Sequence, residues 1–276
     1  MLPLQANYHT HTWRCGHATG ADRDYLDAAI GAGLKTLGIS DHGPMIFPSP
    51  QYPPDYYSGF RMLREHTAGY FHSFSELRQE ARDRLEILIG LEIEYYPDCF
   101  PLFLDYISAF PLDYLILGQH FTGHEQNGIR SFEKTAAPDD LRAYYDGVLQ
   151  AVKTGCFLYI AHPDVFKFTG DEAAYAALTR RFLEAAKPYD PLLEINRLGL
   201  FDGRIYPRPA FWKIAGELGY SAIVGLDAHA PSVFADGETP RRCVELARTY
   251  GLRLVTAVKN VRFSAERGCE AERVYG

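Results

Sequence analysis

The chain has 276 residues, of which 47% are hydrophobic and 23% are charged, and its formal net charge at pH 7 is −7. These proportions are typical of a soluble globular protein, and the length suits a single α/β barrel. The negative charge argues against a protein that wraps nucleic acid, because nucleic-acid phosphates are bound by Lys and Arg.

Short apolar runs, typical of strands, alternate with longer amphipathic stretches, typical of helices. Strands are predicted over residues 2–8, 35–40, 86–92, 114–118, 157–161, 192–195 and 221–225, with a last short strand over 252–256. Helices are predicted over residues 22–34, 75–84, 138–154, 171–187, 207–218 and 240–250. Because this alternation implies parallel pairing through crossovers, we expect a closed or nearly closed α/β barrel, with an open doubly wound sheet as the alternative.

No Gly/Ser-rich linker, charge block or repeat divides the chain, so residues 1–276 are predicted to form a single domain. Residues 44–57 are rich in Pro and Tyr and are predicted to form a long ordered loop, a candidate wall or lid of a site. The five widely spaced cysteines do not indicate a disulfide framework, and the first residues do not resemble a signal peptide. Since the apolar runs are also too short to cross a bilayer, we expect a cytoplasmic protein.

Seven of the ten histidines lie at or just after a predicted strand, as do two carboxylates. These nine residues are His9, His11, His17, His42, Glu92, His120, His162, Asp227 and His229. In a parallel barrel the C-terminal ends of the strands share one face, where active sites lie, so the nine side chains are expected to converge. A single histidine after a strand is usually a hydrogen-bonded loop residue, but the common position of all nine favours a metal site.

Two pairs on different strands have the same i, i+2 spacing: His9 with His11, and Asp227 with His229. Alternate residues of an extended chain point the same way, so the two members of each pair can face one ion. Imidazole and carboxylate ligands suit Zn, Mn or Fe.

Seven segments of the chain resemble the polymerase-and-histidinol-phosphatase (PHP) family, and in particular its histidinol-phosphatase branch. They are YHTHTWRCGHA (8–18), GISDHGPM (38–45), GLEIEYYP (90–97), YLILGQHF (114–121), AHPDVFK (161–167), EINRLG (194–199) and GLDAHAP (225–231). The segments follow the family's order and span nearly the whole chain, which makes the resemblance far more specific than any single HxH motif.

The resemblance implies a distorted seven-stranded (β/α) barrel, TIM-like and holding three divalent metal ions. It implies that His9, His11, Glu92 and Asp227 hold one ion, that Glu92 bridges to a second held by His120 and His162, and that His17, His42 and His229 hold the third. Glu94 points the same way as Glu92 on an extended strand and is expected to support a ligand rather than to be one.

The implied activity is hydrolysis of a phosphate monoester, namely L-histidinol phosphate. Clustered cations neutralise the phosphate and lower the pKa of water, so that a hydroxide shared by two ions attacks the phosphorus. Arg197, after the sixth predicted strand, is the predicted phosphate ligand, with a structural ion pair as the alternative. Asp41 is a candidate general acid, and orientation of a ligand imidazole is its equally favoured alternative.

The imidazole and ammonium of this substrate call for acidic or aromatic neighbours, and Glu94, Tyr95, Tyr56 and Tyr57 are available without a basis for ranking them. Two other functions stay open. The same metal site could serve an exonuclease or another phosphoesterase of the family, which a basic groove would favour and the negative net charge disfavours. A metal-binding module without catalysis is the third, although none of the implied ligands is missing.

Overall fold

The structure is a computed structural model that describes residues 2–48, 52, 56 and 58–276. Its strands are β1 (Ala6–Asn7), β2 (Thr36–Ile39), β3 (Glu86–Ile93), β4 (Tyr114–Leu117), β5 (Leu193–Asn196), β6 (Ser221–Gly225), β7 (Arg253–Ser264) and β8 (Gly268–Tyr275). Its α-helices are α1 (Asp22–Ala32), α2 (Thr67–Ala81), α3 (Phe100–Ile107), α4 (Pro138–Lys153), α5 (Glu172–Ala186), α6 (Arg197–Phe201), α7 (Pro209–Glu217) and α8 (Glu238–Thr249). None of the described helices is long and apolar enough to cross a membrane.

The strands form two four-stranded sheets in the order β1-β2-β3-β4 and β5-β6-β7-β8, with every pair parallel except β7 and β8. Ile160 joins the sheets, because it bridges Leu117 at the end of β4 and Leu193 at the start of β5. The other side is joined where the chain beyond β1 meets the chain beyond β6: the His11 amide donates to the Ala228 carbonyl at 2.9 Å. The two sheets are therefore joined on both sides into a distorted α/β barrel, which confirms the predicted fold class.

Several elements differ from the sequence-based prediction. The strand predicted over residues 157–161 keeps its place between β4 and β5 but makes only single-residue bridges. β7 runs to Ser264 and pairs with β8 in a hairpin that the sequence did not reveal, since much of β7 is partly exposed and lacks clear apolar alternation. α3 was also missed because its short run, FPLFLDYI, is apolar nearly all round.

The barrel interior is filled by tyrosines and aliphatic side chains below the C-terminal ends of the strands. Tyr114 fits because Gly38 and Gly90 flank it: a Cβ at either glycine would lie 2.4 Å from the Tyr114 side chain. The Tyr114 hydroxyl donates to the Tyr8 carbonyl at 2.8 Å, and the Val258 amide of β7 donates to the Tyr8 hydroxyl at 2.9 Å. This packed layer leaves the polar residues at one end of the barrel.

Candidate metal centre

The nine predicted ligands lie together at the C-terminal ends of the strands. Seven are buried, namely His9, His11, His42, Glu92, His120, His162 and Asp227. His229 is half-buried and His17 is exposed. The convergence follows from the parallel strands, each of which ends in the same layer.

Four of these side chains, from β3 and from the segments that follow β1 and β6, surround a single point. Nε2 of His9 lies 3.1 Å from Nε2 of His11, 3.5 Å from Oε2 of Glu92 and 3.4 Å from Oδ1 of Asp227. Nε2 of His11 lies 3.4 Å from the same Glu92 oxygen and 3.1 Å from the same Asp227 oxygen.

This spacing fits a divalent ion. Four ligand atoms arranged tetrahedrally around an ion at about 2.0–2.2 Å would be separated by about 3.3–3.6 Å. The five separations measured here span 3.1–3.5 Å. Oε2 of Glu92 is also buried without a hydrogen-bond partner in the described part of the chain. Buried polar atoms normally have a partner, and a cation at this point would supply one.

Two further groups adjoin this one. Oε1 of Glu92 lies 2.9 Å from Nε2 of His162, and the His162 and His120 ring centroids are 5.1 Å apart. On the other side, His17, His42 and His229 bring ligand atoms within 4.8 Å of one another, a spacing that could hold an ion.

Four of the seven candidate ligand histidines form a hydrogen bond between Nδ1 and an oxygen atom. His9 contacts Glu194 at 2.7 Å and His120 contacts Glu94 at 2.6 Å. In the third group, Nδ1 of His17 lies 2.9 Å from the Cys15 carbonyl, and Nδ1 of His229 lies 3.0 Å from the Asp227 carbonyl. An Nδ1–H that donates to an oxygen leaves the Nε2 lone pair for a metal, which is how ligating histidines are usually oriented.

Local backbone and small residues make room for these side chains. His162 and Asp227 have φ angles of 30° and 50°, in the left-handed region that L residues seldom adopt. Such strain is concentrated at functional sites. At the end of β4, a Cβ on Gly118 would lie 1.9 Å from Oε1 of Glu92, so only glycine leaves space for that carboxylate.

The electrostatics keep the carboxylates charged and two histidines neutral. Burial would raise the pKa of Asp227, but the charge of His9 and a hydrogen bond from His11 outweigh it and hold that pKa well below its usual value. Burial, reinforced by the charge of nearby His11, lowers the pKa of His229 to about 3. Burial likewise lowers the pKa of His42 well below its usual value. Neutral imidazole is the form that binds metal, and His42 and His229 already have it. His9 and His11 must first lose a proton, because the effect of burial is outweighed by neighbouring carboxylates, which raise the pKa of each well above its usual value.

Arg197 is buried and paired with a carboxylate, which is the alternative expected for it. It begins α6, is 3% exposed, and donates from Nε and Nη2 to Oδ2 of Asp236 at 2.9 and 2.6 Å. Its guanidinium is thus held in the alternative arrangement, a structural ion pair. No pattern in the sequence predicts the helix that starts directly after β5.

Asp41 also takes the alternative expected of it. It is fully buried, accepts hydrogen bonds from the Thr12 hydroxyl and the His42 amide, and lies 3.5 Å from Nδ1 of His11. It is not among the residues that line the cavity above the metal ligands. This position favours orientation of His11 over proton donation to a substrate.

Of the residues available for the substrate's imidazole end, none that the structure describes lines the cavity. Glu94 is fully buried and bonds Arg61 and His120, so it supports a ligand as expected and does not face the cavity. Tyr95 packs against Phe100, and Tyr56 contacts Phe47 edge-to-face and Tyr52 at a tilted angle. Tyr57 and part of the 44–57 loop lie outside the described residues.

A cavity of about 530 Å³ opens above the metal ligands and is walled by residues that sequence reasoning missed. They are Gly59, Phe60, Arg130, Phe132, Leu198, Arg204 and Tyr206. Arg130 is exposed, and its Cζ atom lies 5.7 Å from the ring centroid of Phe60 and 5.6 Å from that of Phe132. Most of these residues are on loops, where no periodic pattern marks a functional position.

Comparison with known proteins identifies the family. The PHP domain matches residues 7–198, which is more than half of the chain. The chain belongs to the PHP family. The resemblance noted in the sequence is thereby confirmed, and the candidate metal ligands lie on a PHP barrel.

Two relatives that the chain resembles are probable phosphatases. A probable histidinol-phosphatase of Deinococcus radiodurans is 30% identical over 260 residues, which cover 92% of this chain and 91% of that protein. A probable phosphatase of Shewanella sp. (strain ANA-3) is 28% identical over 228 residues, 80% of this chain and 75% of that protein.

A solved structure shares the PHP fold of this chain. The histidinol phosphate phosphatase of Lactococcus lactis subsp. lactis, complexed with Zn, L-histidinol and phosphate, superposes with a TM-score of 0.69. The two sequences are 20% identical, and the match covers 96% of this chain and 98% of that one.

Proposed function

We propose that this PHP protein is a metal-dependent histidinol-phosphatase that hydrolyses L-histidinol phosphate to L-histidinol and phosphate. The observation that carries the proposal is the set of four ligand atoms of His9, His11, Glu92 and Asp227, spaced as a divalent ion requires. The PHP family of this chain and its similarity to a probable histidinol-phosphatase of Deinococcus radiodurans support the choice of substrate.

Three divalent ions are assigned to the three groups of ligands. His9, His11, Glu92 and Asp227 hold the first, Glu92 with His120 and His162 the second, and His17, His42 and His229 the third. Mn, Fe and Zn all accept this mixture of imidazole and carboxylate. The ligand types therefore do not select one metal, and the supply of metal in the cell decides which one binds. When bound, the ions would neutralise the phosphate dianion and provide a nucleophilic hydroxide at neutral pH.

Arg130 takes over the phosphate-binding role first given to Arg197. It lines the cavity, and no carboxylate in the described part of the chain pairs with it. Arg204 also lines the cavity, but its guanidinium already donates to Asp202 at 3.0 and 2.6 Å and to the Tyr206 hydroxyl at 3.1 Å. Arg130 therefore has the donors to spare for phosphate oxygens.

Glu92 and Asp227 act as metal ligands and not as proton donors. They are the carboxylates among the described cavity residues, and the positive charge of neighbouring histidines holds the pKa of each well below its usual value against the effect of burial. The proton for the leaving alkoxide must then come from water or from an imidazole. Phe60 and Phe132 line the same cavity and are the candidate contacts for the substrate's imidazole group.

The test is phosphate release by the Mn-loaded protein from L-histidinol phosphate, p-nitrophenyl phosphate and a short DNA strand, compared as kcat/KM. We expect a strong preference for L-histidinol phosphate. Equal and weak action on all three would overturn the substrate assignment and leave a phosphoesterase of other specificity. Preference for the DNA strand would instead favour the exonuclease alternative.

A further inference from the structure

Glu194 on β5 is fully buried next to the metal ligands, yet it belongs to none of the three ligand groups. Its Oε1 lies 2.7 Å from Nδ1 of His9. Its Oε2 accepts from the backbone amide of His162 at 3.0 Å and from the side-chain amide of Asn196 at 2.9 Å. One carboxylate therefore contacts a residue of the first group and a residue of the second.

Asn196 extends this contact to a third ligand. Its Nδ2 donates to Oδ2 of Asp227 at 3.1 Å as well as to Glu194. Its Oδ1 accepts from the Gly199 amide at 2.9 Å and caps α6, which fixes the orientation of the side chain. His9, His162 and Asp227 are thus tied to one another through two buried side chains.

The neighbouring strand leaves a space for this carboxylate. A Cβ on Gly225 at the end of β6 would lie 1.7 Å from Oε1 of Glu194 and 2.4 Å from its carboxyl carbon. Glycine is needed here for the same reason that Gly118 is needed opposite Glu92. The fold therefore accommodates two buried carboxylates, one that faces the metal position and one behind it.

We propose that Glu194 is a positioning residue that sets the affinity of the first and second metal ions together, and that it leaves the third ion largely unaffected. The proposal rests on the metal centre of the proposed function. In the described structure, neither Glu194 nor Asn196 hydrogen-bonds to His17, His42 or His229. A change at Glu194 is therefore expected to weaken the first and second ions and not the third.

Replacement by glutamine separates this role from simple packing. The three partners of Glu194 are a histidine Nδ1–H, a backbone N–H and an amide N–H, and all are donors. A carboxylate accepts from all of them, whereas a glutamine of the same size offers one accepting oxygen and one NH2 group that must face a donor. Glu194→Gln therefore loses the hydrogen bonds on one side without opening a cavity.

The experiment measures metal binding without substrate. The parent and Glu194→Gln are stripped with chelator, titrated with Mn²⁺, and their ion number and affinities are measured by elemental analysis after dialysis and by chelator competition. We expect about 10–100-fold weaker binding of two ions, as is usual when a hydrogen-bond partner of a metal ligand is lost, and parental binding of the third. Millimolar Mn²⁺ should restore much of the phosphatase activity, which a general loss of structure would not allow.

Two further variants keep the result interpretable. Glu217→Gln, which removes a surface partner of Arg180, is the matched control and should bind all ions as the parent does. Asn196→Ser keeps a residue suited to the helix cap but removes the amide that joins Glu194 to Asp227, and should weaken the same two ions less severely.

Parental affinities in Glu194→Gln, or equal weakening of all three ions, would overturn the proposal, as would a parent that binds no ions. A parent that binds three ions, two of them dependent on Glu194, but does not act on L-histidinol phosphate would refute the substrate assignment alone.

Discussion

At the scale of single residues, Arg130 and Arg197 show why similar side chains near one site need different explanations. Arg197 is buried against Asp236, whereas Arg130 is exposed on the cavity wall and rests on aromatic rings. Removing Arg130 should cost substrate binding, and removing Arg197 should cost stability.

We predict that Arg130→Ala lowers kcat/KM for the phosphate ester by about 10–100-fold, the value of a charged hydrogen bond. Its free energy of unfolding should stay within about 0.5 kcal/mol of the parent's, since the side chain is exposed. Steady-state kinetics and denaturant unfolding check both expectations. Unchanged kinetics would remove Arg130 from the phosphate site.

Arg197→Ala is the matched counterpart. It leaves Asp236 without its guanidinium partner, so the free energy of unfolding should fall by about 1–3 kcal/mol. The value of kcat/KM should remain near that of the parent in protein that is still folded. A kinetic defect larger than that of Arg130→Ala would reverse the two assignments.

His229 provides a prediction about pH in the metal-free protein. Its pKa is about 3 when folded because of burial and nearby charge, against 6.5 for an ordinary histidine. The unfolded chain therefore binds a proton between these values that the folded chain does not, so this residue's contribution to stability is complete above about pH 6.5 and is lost as the pH falls.

The variant His229→Asn lacks this titration, so its stability should depend less on pH. Between pH 7 and pH 5, the loss of unfolding free energy should be smaller than in the parent by up to about 2 kcal/mol. Denaturant unfolding of chelator-treated protein at both pH values measures the difference. Identical losses in the two proteins would show that His229 is not held neutral by the fold.

The sequence revealed the histidines and not the arginines for a physical reason. His42 and His120 follow apolar runs that are recognisable as strands, and parallel strands place their ends in one layer. Arg130 and Arg204 lie on connections whose path depends on contacts with the rest of the chain, and nothing in their local sequence marks them.

At the scale of elements, the ends of the strands are shaped to hold side chains from neighbouring strands. Gly118→Ala, at the end of β4, should push Glu92 from its place, since the new Cβ would lie 1.9 Å from Oε1. We expect at least about tenfold weaker metal binding, by the same chelator competition. Gly123→Ala is the control, because its Cβ would meet nothing within 4 Å. Parental affinity in Gly118→Ala would mean that Glu92 is not a ligand.

β7 contributes to the packed interior of the barrel and not to the metal centre. The Val258 side chain is buried, with 2% of the residue exposed, so Val258→Ala should lower the free energy of unfolding by about 2 kcal/mol and leave kcat/KM unchanged. Val261→Ala, half-buried on the same strand, should have less effect. A kinetic defect without loss of stability would contradict this purely supporting role.

Elements with a regular apolar pattern were easier to predict than elements that depend on tertiary contacts. The helix predicted over 138–154 matches α4 (Pro138–Lys153) closely, because its apolar residues recur regularly and Pro138 marks its start. The β7–β8 hairpin and α6 were missed because each depends on tertiary contacts: β8 lies along β7, and α6 begins on the Asn196 cap directly after β5.

At the scale of the whole molecule, a chain with a net charge of −7 places arginines around a cavity above clustered histidines. Overall charge therefore says little about the charge of the site, which depends on where the barrel places individual residues. The sequence predicted the barrel and the layer of histidines and carboxylates at its strand ends, while the cavity wall required the structure. The single-domain organisation of residues 1–276, the metal-ligand roles of these residues and the number of ions stay predictions.

The central claim is that hydrolysis depends on divalent ions held by these strand-end ligands. The measurement that tests it most directly is phosphate release from L-histidinol phosphate as chelator-stripped protein is titrated with Mn²⁺, alongside Asp227→Ala. We predict no turnover without metal, recovery that saturates as three ions bind per chain, and a loss of at least about 100-fold in Asp227→Ala, beyond that expected for a residue that only supports a ligand. Full turnover by the stripped protein, or undiminished turnover by Asp227→Ala, would contradict the account.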